Sequence, residues 1–201
     1  MKENFVLYTR KLVLAFAFSI IFLLIGTQSV FASDISTNVV VDPGGGMPVY
    51  QGTSTAAKSG DILYTNKLTT TWFTGHVAIV APDGYVYHTP GAGNPGIKKM
   101  SVYDFITTYD DVQVWRAKSS TRGQNAGFKA QSLYGSYRYA DYSVYTTLTG
   151  DFYDQYCTKF VWQSYYYGAN TNLDSLSLTK LTVPPHWILD GYYLTKIHGG
   201  L

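Results

Sequence analysis

The sequence GHVAIVAPDGYVYH, residues 75–88, contains two runs of strand-forming residues separated by a turn. Both runs are rich in Val, Ile and Tyr, the residue types that fit a pleated, half-buried surface. The PDG triplet between them suits a three-residue hairpin loop, because proline fixes the first turn position and Gly84 supplies the left-handed one. The stretch therefore predicts an antiparallel β-hairpin.

The predicted hairpin brings two histidines to one face of the sheet. With a three-residue loop Ala81 pairs with Tyr85, and this register puts His88 opposite Ala78. His76 is then the diagonal neighbour of His88, about 7–8 Å away, which is close enough for one ring to orient the other. A two-residue loop would put the two histidines on opposite faces. A single histidine here would be interpreted as a hydrogen-bonded residue of the sheet, whereas two on one face indicate a site.

The rest of the folded unit is predicted to be α+β, with a small antiparallel sheet or partly open barrel packed against a helix. Further segments are expected as strands at residues 62–64 and 112–116, and as helical stretches at 101–107 and 124–134. A longer helix is predicted over residues 154–167, where apolar and small residues recur at helical spacing. Asp154 is its expected N-cap and Gly168 its expected stop.

Cys157, the only cysteine, falls in the first turn of that last predicted helix. A helix N-terminus stabilises a thiolate and lowers the thiol pKa below its free value of about 8.5. With a nearby imidazole the residue would be an activated nucleophile. Two alternatives are an inert core cysteine and a zinc site formed with the two histidines. The zinc site is disfavoured because the sequence has no close CxxC or HxxxH pair.

Composition excludes several classes of protein. The chain has 201 residues, of which 46% are apolar and 14% charged, as expected of roughly one folded domain. Three of the 15 basic residues and one of the 13 acidic residues lie in residues 1–32, so the remainder carries equal numbers of each. No basic field is left that would attract nucleic acid.

The N-terminal region is predicted to be a secretory signal peptide over residues 1–32. It has a basic start, an apolar stretch from Leu12 to Ile25 and small residues before a cleavage site after Ala32. The apolar stretch is shorter than the ~20 residues of a spanning helix, and we expect no membrane segment after cleavage. Residues 33–58 combine Ser, Thr, Val, Gly and Pro without helical or strand periodicity and are predicted to be a leader or linker, so that the domain covers residues 59–201. The expected location is extracellular or cell-wall associated.

Four motifs follow one another in a distinctive order: GDIL at 60–63, GHVAIV at 75–80, YVYH at 85–88 and YCTKFVWQSYY at 156–166. Together they resemble the circularly permuted branch of the NlpC superfamily of papain-like cysteine hydrolases, especially its YiiX and YycO group. The similarity spans residues 59 to about 190. The cysteine follows the histidine here, whereas it precedes the histidine in ordinary NlpC enzymes, as permutation implies.

This resemblance implies a permuted papain-like fold and a role for each candidate residue. Cys157 would be the nucleophile, His76 its base and His88 the third polar residue, which orients His76. YiiX-like proteins often have glutamate where His88 stands, so the sequence departs from the group at that position. The backbone N–H of Cys157 would contribute to an oxyanion hole, with Tyr137 and Tyr156 as candidate oxyanion or substrate-lining residues.

The function implied is a cysteine peptidase or amidase that forms a covalent acyl-enzyme and cleaves an amide bond in cell-wall peptides, with no metal or cofactor. Asp61, in the GDIL motif, is expected to fix the start of the first strand rather than to act on substrate. The spacing of His76 and His88 also resembles that of lecithin retinol acyltransferase and related enzymes. A lipid or small-amide acyl hydrolase or acyltransferase is therefore one alternative, and an inactive secreted binding module on the same fold is another. The oligomeric state is left open.

Overall fold

A computed structural model describes residues 46–67, 75–189 and 191–201. The predicted signal peptide and the leader as far as residue 45 lie outside the described residues. Within these residues, no helix is long and apolar enough to cross a membrane.

The described residues form an α+β fold around one open sheet of six strands. Neighbouring strands are antiparallel throughout and lie in the order β4-β3-β2-β1-β5-β8. The strands of this sheet are β1 (Ile62–Thr65), β2 (His76–Val80), β3 (Tyr85–His88), β4 (Lys98–Ser101), β5 (Gln113–Ala117) and β8 (Leu194–His198). A separate parallel pair consists of β6 (Asp141–Tyr142) and β7 (Asp154–Gln155).

Three α-helices accompany the sheet in the described part of the chain, together with two short 3-10 turns. The helices are α1 (Val102–Thr108), α2 (Ser120–Tyr137) and α3 (Cys157–Ala169), and the turns are Leu173–Ser175 and Pro185–Ile188. Ser101 and Ser119 cap α1 and α2 by accepting backbone N–H groups of the first turn. The sequence therefore predicted α1 and the middle of α2 correctly, but not the full length of α2.

Each face of the sheet is covered by its own apolar layer. On one face Ile62, Val77 and Ile79 pack with α2 and α3. On the opposite face the alternating residues of the same strands pack with Phe105 and Tyr109, which belong to α1 and the residue after it. Both faces are buried, so the central strands are apolar throughout instead of alternating with polar residues.

The hairpin adopts the predicted register. Ile79 pairs with Tyr87 and Val80 with Val86, and the N–H of Ala81 donates to the carbonyl of Tyr85 at 2.9 Å. Gly84 has φ +78°, the left-handed conformation that a three-residue loop requires at this point. The prediction that His76 and His88 share one face is thereby confirmed.

Part of the predicted leader packs against the domain. Tyr50 is fully buried, and its hydroxyl donates to the carboxylate of Asp61 at 2.7 Å. Arg116 donates to the same carboxylate through Nε and a terminal nitrogen, which lie 2.8 and 2.7 Å from the two Asp61 oxygens. Asp61 thus ties the start of β1 to β5 and to the preceding segment, in agreement with its expected structural role. The structured region begins before Ser59.

Both ends of α3 differ from the prediction. Asp154 is not the N-cap, because its backbone pairs with Asp141 in the β6–β7 ladder and the helix begins three residues later at Cys157. Gly168 does not stop the helix, which ends at Ala169 and is followed by Asn170 in the left-handed conformation. The glycine serves the contact between helices instead: a Cβ there would lie 2.6 Å from the carbonyl oxygen of Asn125 in α2.

Candidate active site

The thiol of Cys157 sits where the β2–β3 ladder ends. The last pair of that ladder is Ile79–Tyr87. The N–H of Val77 faces the β3 side of the strand, as that of Ile79 does, but it has no partner in β3. It acts on Cys157 Sγ and lowers the pKa of the thiol, as do the N–H groups of Cys157 and Thr158 at the start of α3. The Thr158 hydroxyl lies 3.9 Å from the sulfur. Strand β2 and helix α3 therefore both contribute donors to the position of the sulfur.

Burial dominates the ionisation of this thiol. Cys157 is 7% exposed, and burial raises its pKa although the surrounding donors lower it. The expectation from the sequence was a pKa below that of a free thiol, based on the helix N-terminus and a nearby imidazole. It is wrong in direction, because the cost of moving a thiolate out of water exceeds the stabilisation by the nearby N–H groups.

His76 and His88 form a direct buried pair. His76 Nε2 lies 2.8 Å from His88 Nδ1, and the two rings meet edge to face with their centroids 5.1 Å apart. The side chains are 1% and 3% exposed. Tyr109 stacks on the His76 ring, with centroids 4.8 Å apart and an angle of 24° between the planes. The bond to His88 and this stacking both restrict the rotation of the His76 ring.

The pair is uncharged at neutral pH. Burial and the proximity of His88 hold the pKa of His76 well below 6.5. Burial and the ammonium of Lys98 lower the pKa of His88 to about 4. A hydrogen bond between two neutral imidazoles needs one N–H donor and one bare nitrogen, so the tautomers of the two rings are coupled: when one shared nitrogen carries hydrogen, the other does not.

Cys157 and His76 line one small cavity of about 10 Å³, the space of a single water molecule. Its walls come from the start of β2, the residues after β3, the β6 end, the start of α3 and the segment before the second 3-10 turn. The lining residues are Gly75, His76, Pro90, Tyr142, Val144, Tyr156, Cys157, Thr158, Val183 and Pro185. A substrate carbonyl reaches the sulfur only if part of this wall moves.

The structure separates the two candidate tyrosines. Tyr156 lines the cavity, and its hydroxyl accepts the N–H of Val183 at 3.0 Å. Tyr137 lies at the end of α2, where its ring contacts Phe152 and Tyr153, and the cavity wall does not include it. Tyr142, which the sequence did not single out, is part of the wall. With 19 tyrosines in the chain, nothing in the local sequence distinguishes Tyr142 from the others.

Metal-ligating side chains do not cluster in the described ranges. Within residues 46–67, 75–189 and 191–201, no group of three or more His, Cys, Asp or Glu side chains is arranged to hold a metal ion. At the candidate site, His76 and His88 direct one ring nitrogen each at the other.

Comparisons with known proteins identify a relative by sequence and a neighbour by structure. No family model matches the chain. An uncharacterized 30.3 kDa protein of Bacillus thuringiensis is 28% identical over 145 residues, which are 67% of this chain and 53% of that protein. The chain therefore spans about half the length of this relative.

The structural neighbour is the metalloprotein YiiX from Escherichia coli O157:H7, known from a crystal structure. The alignment has a TM-score of 0.51 and 16% sequence identity, and covers 71% of this chain and 97% of that one. YiiX bears the name of the group that the motifs of this sequence resemble, and at this level of identity the likeness establishes a common fold.

Proposed function

We propose that the protein is a secreted cysteine hydrolase with a permuted papain-like fold, which attacks a carbonyl with Cys157 and uses His76 as base and His88 as orienting residue. The observation that carries the proposal is the 2.8 Å bond between His76 Nε2 and His88 Nδ1, next to a thiol that lines the same cavity as His76. A nucleophile, a base and a group that orients the base are the three parts that covalent catalysis by a thiol requires.

The bond between the histidines assigns the nitrogens. Since Nε2 of His76 is directed at His88, Nδ1 is the nitrogen left to accept the thiol proton. In that tautomer Nε2 carries hydrogen and donates to His88 Nδ1. When His76 becomes an imidazolium, the same N–H bond to a neutral acceptor strengthens, which stabilises the charge that forms during the reaction.

The reaction starts from a neutral thiol and a neutral imidazole, since burial raises the pKa of Cys157 and lowers that of His76. The proton moves from Sγ to His76 as the sulfur bonds to the carbonyl carbon, and His76 then protonates the leaving group. Water attacks the resulting thioester, releases the acid and restores the thiol. The N–H groups of Cys157 and Thr158 at the start of α3, which act on the sulfur of the resting thiol, would turn to the developing oxyanion once the sulfur is bonded to carbon.

The substrate we propose is an amide bond in a cell-wall peptide. The signal-like segment at residues 1–32 supports export, and the resemblance to the NlpC superfamily supports this bond type. A second candidate is a lipid or small-amide acyl compound. Four of the ten lining residues favour it, since Pro90, Val144, Val183 and Pro185 offer no hydrogen-bonding side chains to a peptide.

The test compares the two substrate classes on one enzyme. Purified protein is incubated with purified cell wall and, separately, with a panel of acyl esters and amides, and mass spectrometry follows both the released products and acylation of Cys157. We expect peptide release and a thioester on Cys157. Cys157→Ser should lower turnover by orders of magnitude while the fold is kept. An active Cys157→Ser protein would contradict the mechanism, and absence of any acylated cysteine would favour the binding module.

The role of His88 has its own variant series. His88→Gln can still hydrogen-bond the His76 ring and should keep part of the turnover. His88→Ala cannot and should lose between about tenfold and ten-thousandfold. The matched control is His186→Gln, since His186 is exposed on the second 3-10 turn, and it should behave like the wild type. Unchanged turnover in a folded His88→Ala protein would reduce the triad to a pair.

A further inference from the structure

Lys159 is a buried cation that the proposed chemistry does not use. It is the third residue of α3, two positions after Cys157, and its side chain is 0% exposed. A positive charge in the first turn of a helix opposes the helix dipole, and burying it without hydrogen bonds is strongly unfavourable. A lysine at this position therefore requires a specific set of partners.

The ammonium of Lys159 has three partners, and all of them are neutral oxygen atoms of one loop. Nζ lies 2.9 Å from Thr146 Oγ1, 2.8 Å from the carbonyl of Asp151 and 2.7 Å from the carbonyl of Asp154. These acceptors lie in, or directly after, the 143–153 loop, which connects β6 to β7. The three donors of one lysine thus bridge the beginning and the end of the loop.

Gln163, one turn further along α3, holds the middle of the same loop. Its Nε2 lies 2.9 Å from the carbonyl of Leu148 and 3.2 Å from that of Gly150. Its Oε1 accepts from Gln155 Nε2 at 2.8 Å. Two polar side chains on one face of α3 therefore fix the loop from inside, through hydrogen bonds to its backbone.

The 143–153 loop carries part of the wall around the thiol. Tyr142 precedes the loop and Val144 lies within it, and both line the cavity that contains Cys157. The end of the loop leads through β7 to Tyr156 and the sulfur itself. Strand β6, which holds Tyr142, pairs with β7, which leads into α3. A displacement of the loop would therefore move the cavity wall and the start of α3 together.

We propose that Lys159 is a positioning residue that fixes the 143–153 loop over the thiol and so controls the access of acyl compounds to Cys157. The part of this statement that concerns acyl substrates rests on the proposed function. The part that concerns the loop and the thiol does not.

The test uses Lys159→Met, whose unbranched side chain is one atom shorter than that of lysine and makes none of the three bonds. Thr146→Val, a near-isosteric change at an acceptor, removes one. Hydrogen exchange is followed by mass spectrometry, and the rate of Cys157 alkylation by iodoacetamide is measured under native conditions. Loss of a buried hydrogen bond should favour local opening about tenfold, and loss of three by more. We expect hydrogen exchange at residues 143–156 and alkylation of Cys157 to be faster in Thr146→Val than in the wild type, and faster still in Lys159→Met. The exchange rates of β1 and β5 should not change.

Lys196→Met is the control, because Lys196 is exposed on β8. It should match the wild type in both measurements. If Lys159→Met does not fold, Thr146→Val alone decides the matter. Unchanged exchange and alkylation in Thr146→Val, or an acceleration spread evenly over the sheet, would overturn the proposal.

Neither measurement needs turnover, so a protein without hydrolase activity would refute the proposed function and leave the role of Lys159 open to the same test. If turnover is found, kcat per folded molecule should fall in Thr146→Val, because the wall is misplaced during the reaction. A purely structural role of Lys159 would change the folded fraction and leave kcat per folded molecule unaffected.

Discussion

Acidification should unfold this protein through its histidine pair. Both His76 and His88 are buried and neutral, and both have a folded-state pKa below 6.5. The unfolded chain therefore binds more protons than the folded chain when the pH lies between the folded-state pKa values of the two histidines and their unfolded-state value of about 6.5. By linkage, the stability that comes from keeping these rings neutral is fully present above about pH 6.5 and is lost as the pH falls toward 4.

The size of the effect follows from His88. Its pKa changes from 6.5 in the unfolded chain to about 4 in the fold. At about 1.4 kcal/mol per pH unit, this corresponds to a loss of about 3 kcal/mol between pH 6.5 and 4. His88 is 3% exposed, so solvent does not screen the effect appreciably. His76 adds a loss of the same sign, since burial and His88 lower its pKa as well.

The assay is guanidinium unfolding at pH 7, 6, 5 and 4.5, followed by the fluorescence of the buried Trp162 and the other tryptophans. The free energy of unfolding of the wild type should fall across this series. In His88→Gln the fall should be smaller by up to about 3 kcal/mol, because an amide does not titrate. His186→Gln should follow the wild type. The same pH dependence in His88→Gln and in the wild type would refute the conclusion that His88 is kept neutral by burial.

Two further predictions concern the thiol and the helix contact. Since burial raises the pKa of Cys157, its alkylation by iodoacetamide should be slow at pH 7 and should increase as the pH rises past 9; rapid labelling at pH 6 would mean that the resting thiol is already ionised. Gly168→Ala should destabilise the protein by about 1–3 kcal/mol in thermal or guanidinium unfolding, because its Cβ would meet the backbone of Asn125. Gly135→Ala on α2, with open space around it, should be neutral or slightly stabilising, and equal effects of the two changes would contradict the close packing.

The hairpin and its histidines were predictable because short-range rules decide them. The PDG triplet fixes the loop length, the loop length fixes the register, and the register puts His76 and His88 on one face. The 2.8 Å bond between the rings depends on nothing distant in the sequence except the aromatic residues packed on them. A local pattern was therefore sufficient for two residues of the candidate site.

The environment of the thiol was not predictable, because it depends on contacts between segments far apart in the sequence. Arguments from the helix dipole and a nearby imidazole gave the wrong direction for the pKa of Cys157, since they contain no information on burial by residues such as Val144 and Val183. The sequence predicted Asp154 as a helix cap, but its backbone pairs with that of Asp141, 13 residues earlier, in the β6–β7 ladder. Tertiary pairing overrode a reasonable local preference in each case.

The small size of the cavity also limits which oxidants can react with the sulfur of Cys157. Thiol–disulfide exchange requires the sulfur to line up with the two sulfurs of its partner, and a pocket of about 10 Å³ has no room for them. A bulky disulfide such as oxidised glutathione should therefore leave Cys157 reduced, whereas hydrogen peroxide, which is little larger than water, could convert it to a sulfenic acid. Wherever the protein meets an oxidising environment, its lone cysteine is shielded from mixed-disulfide formation by the same wall that a substrate must displace.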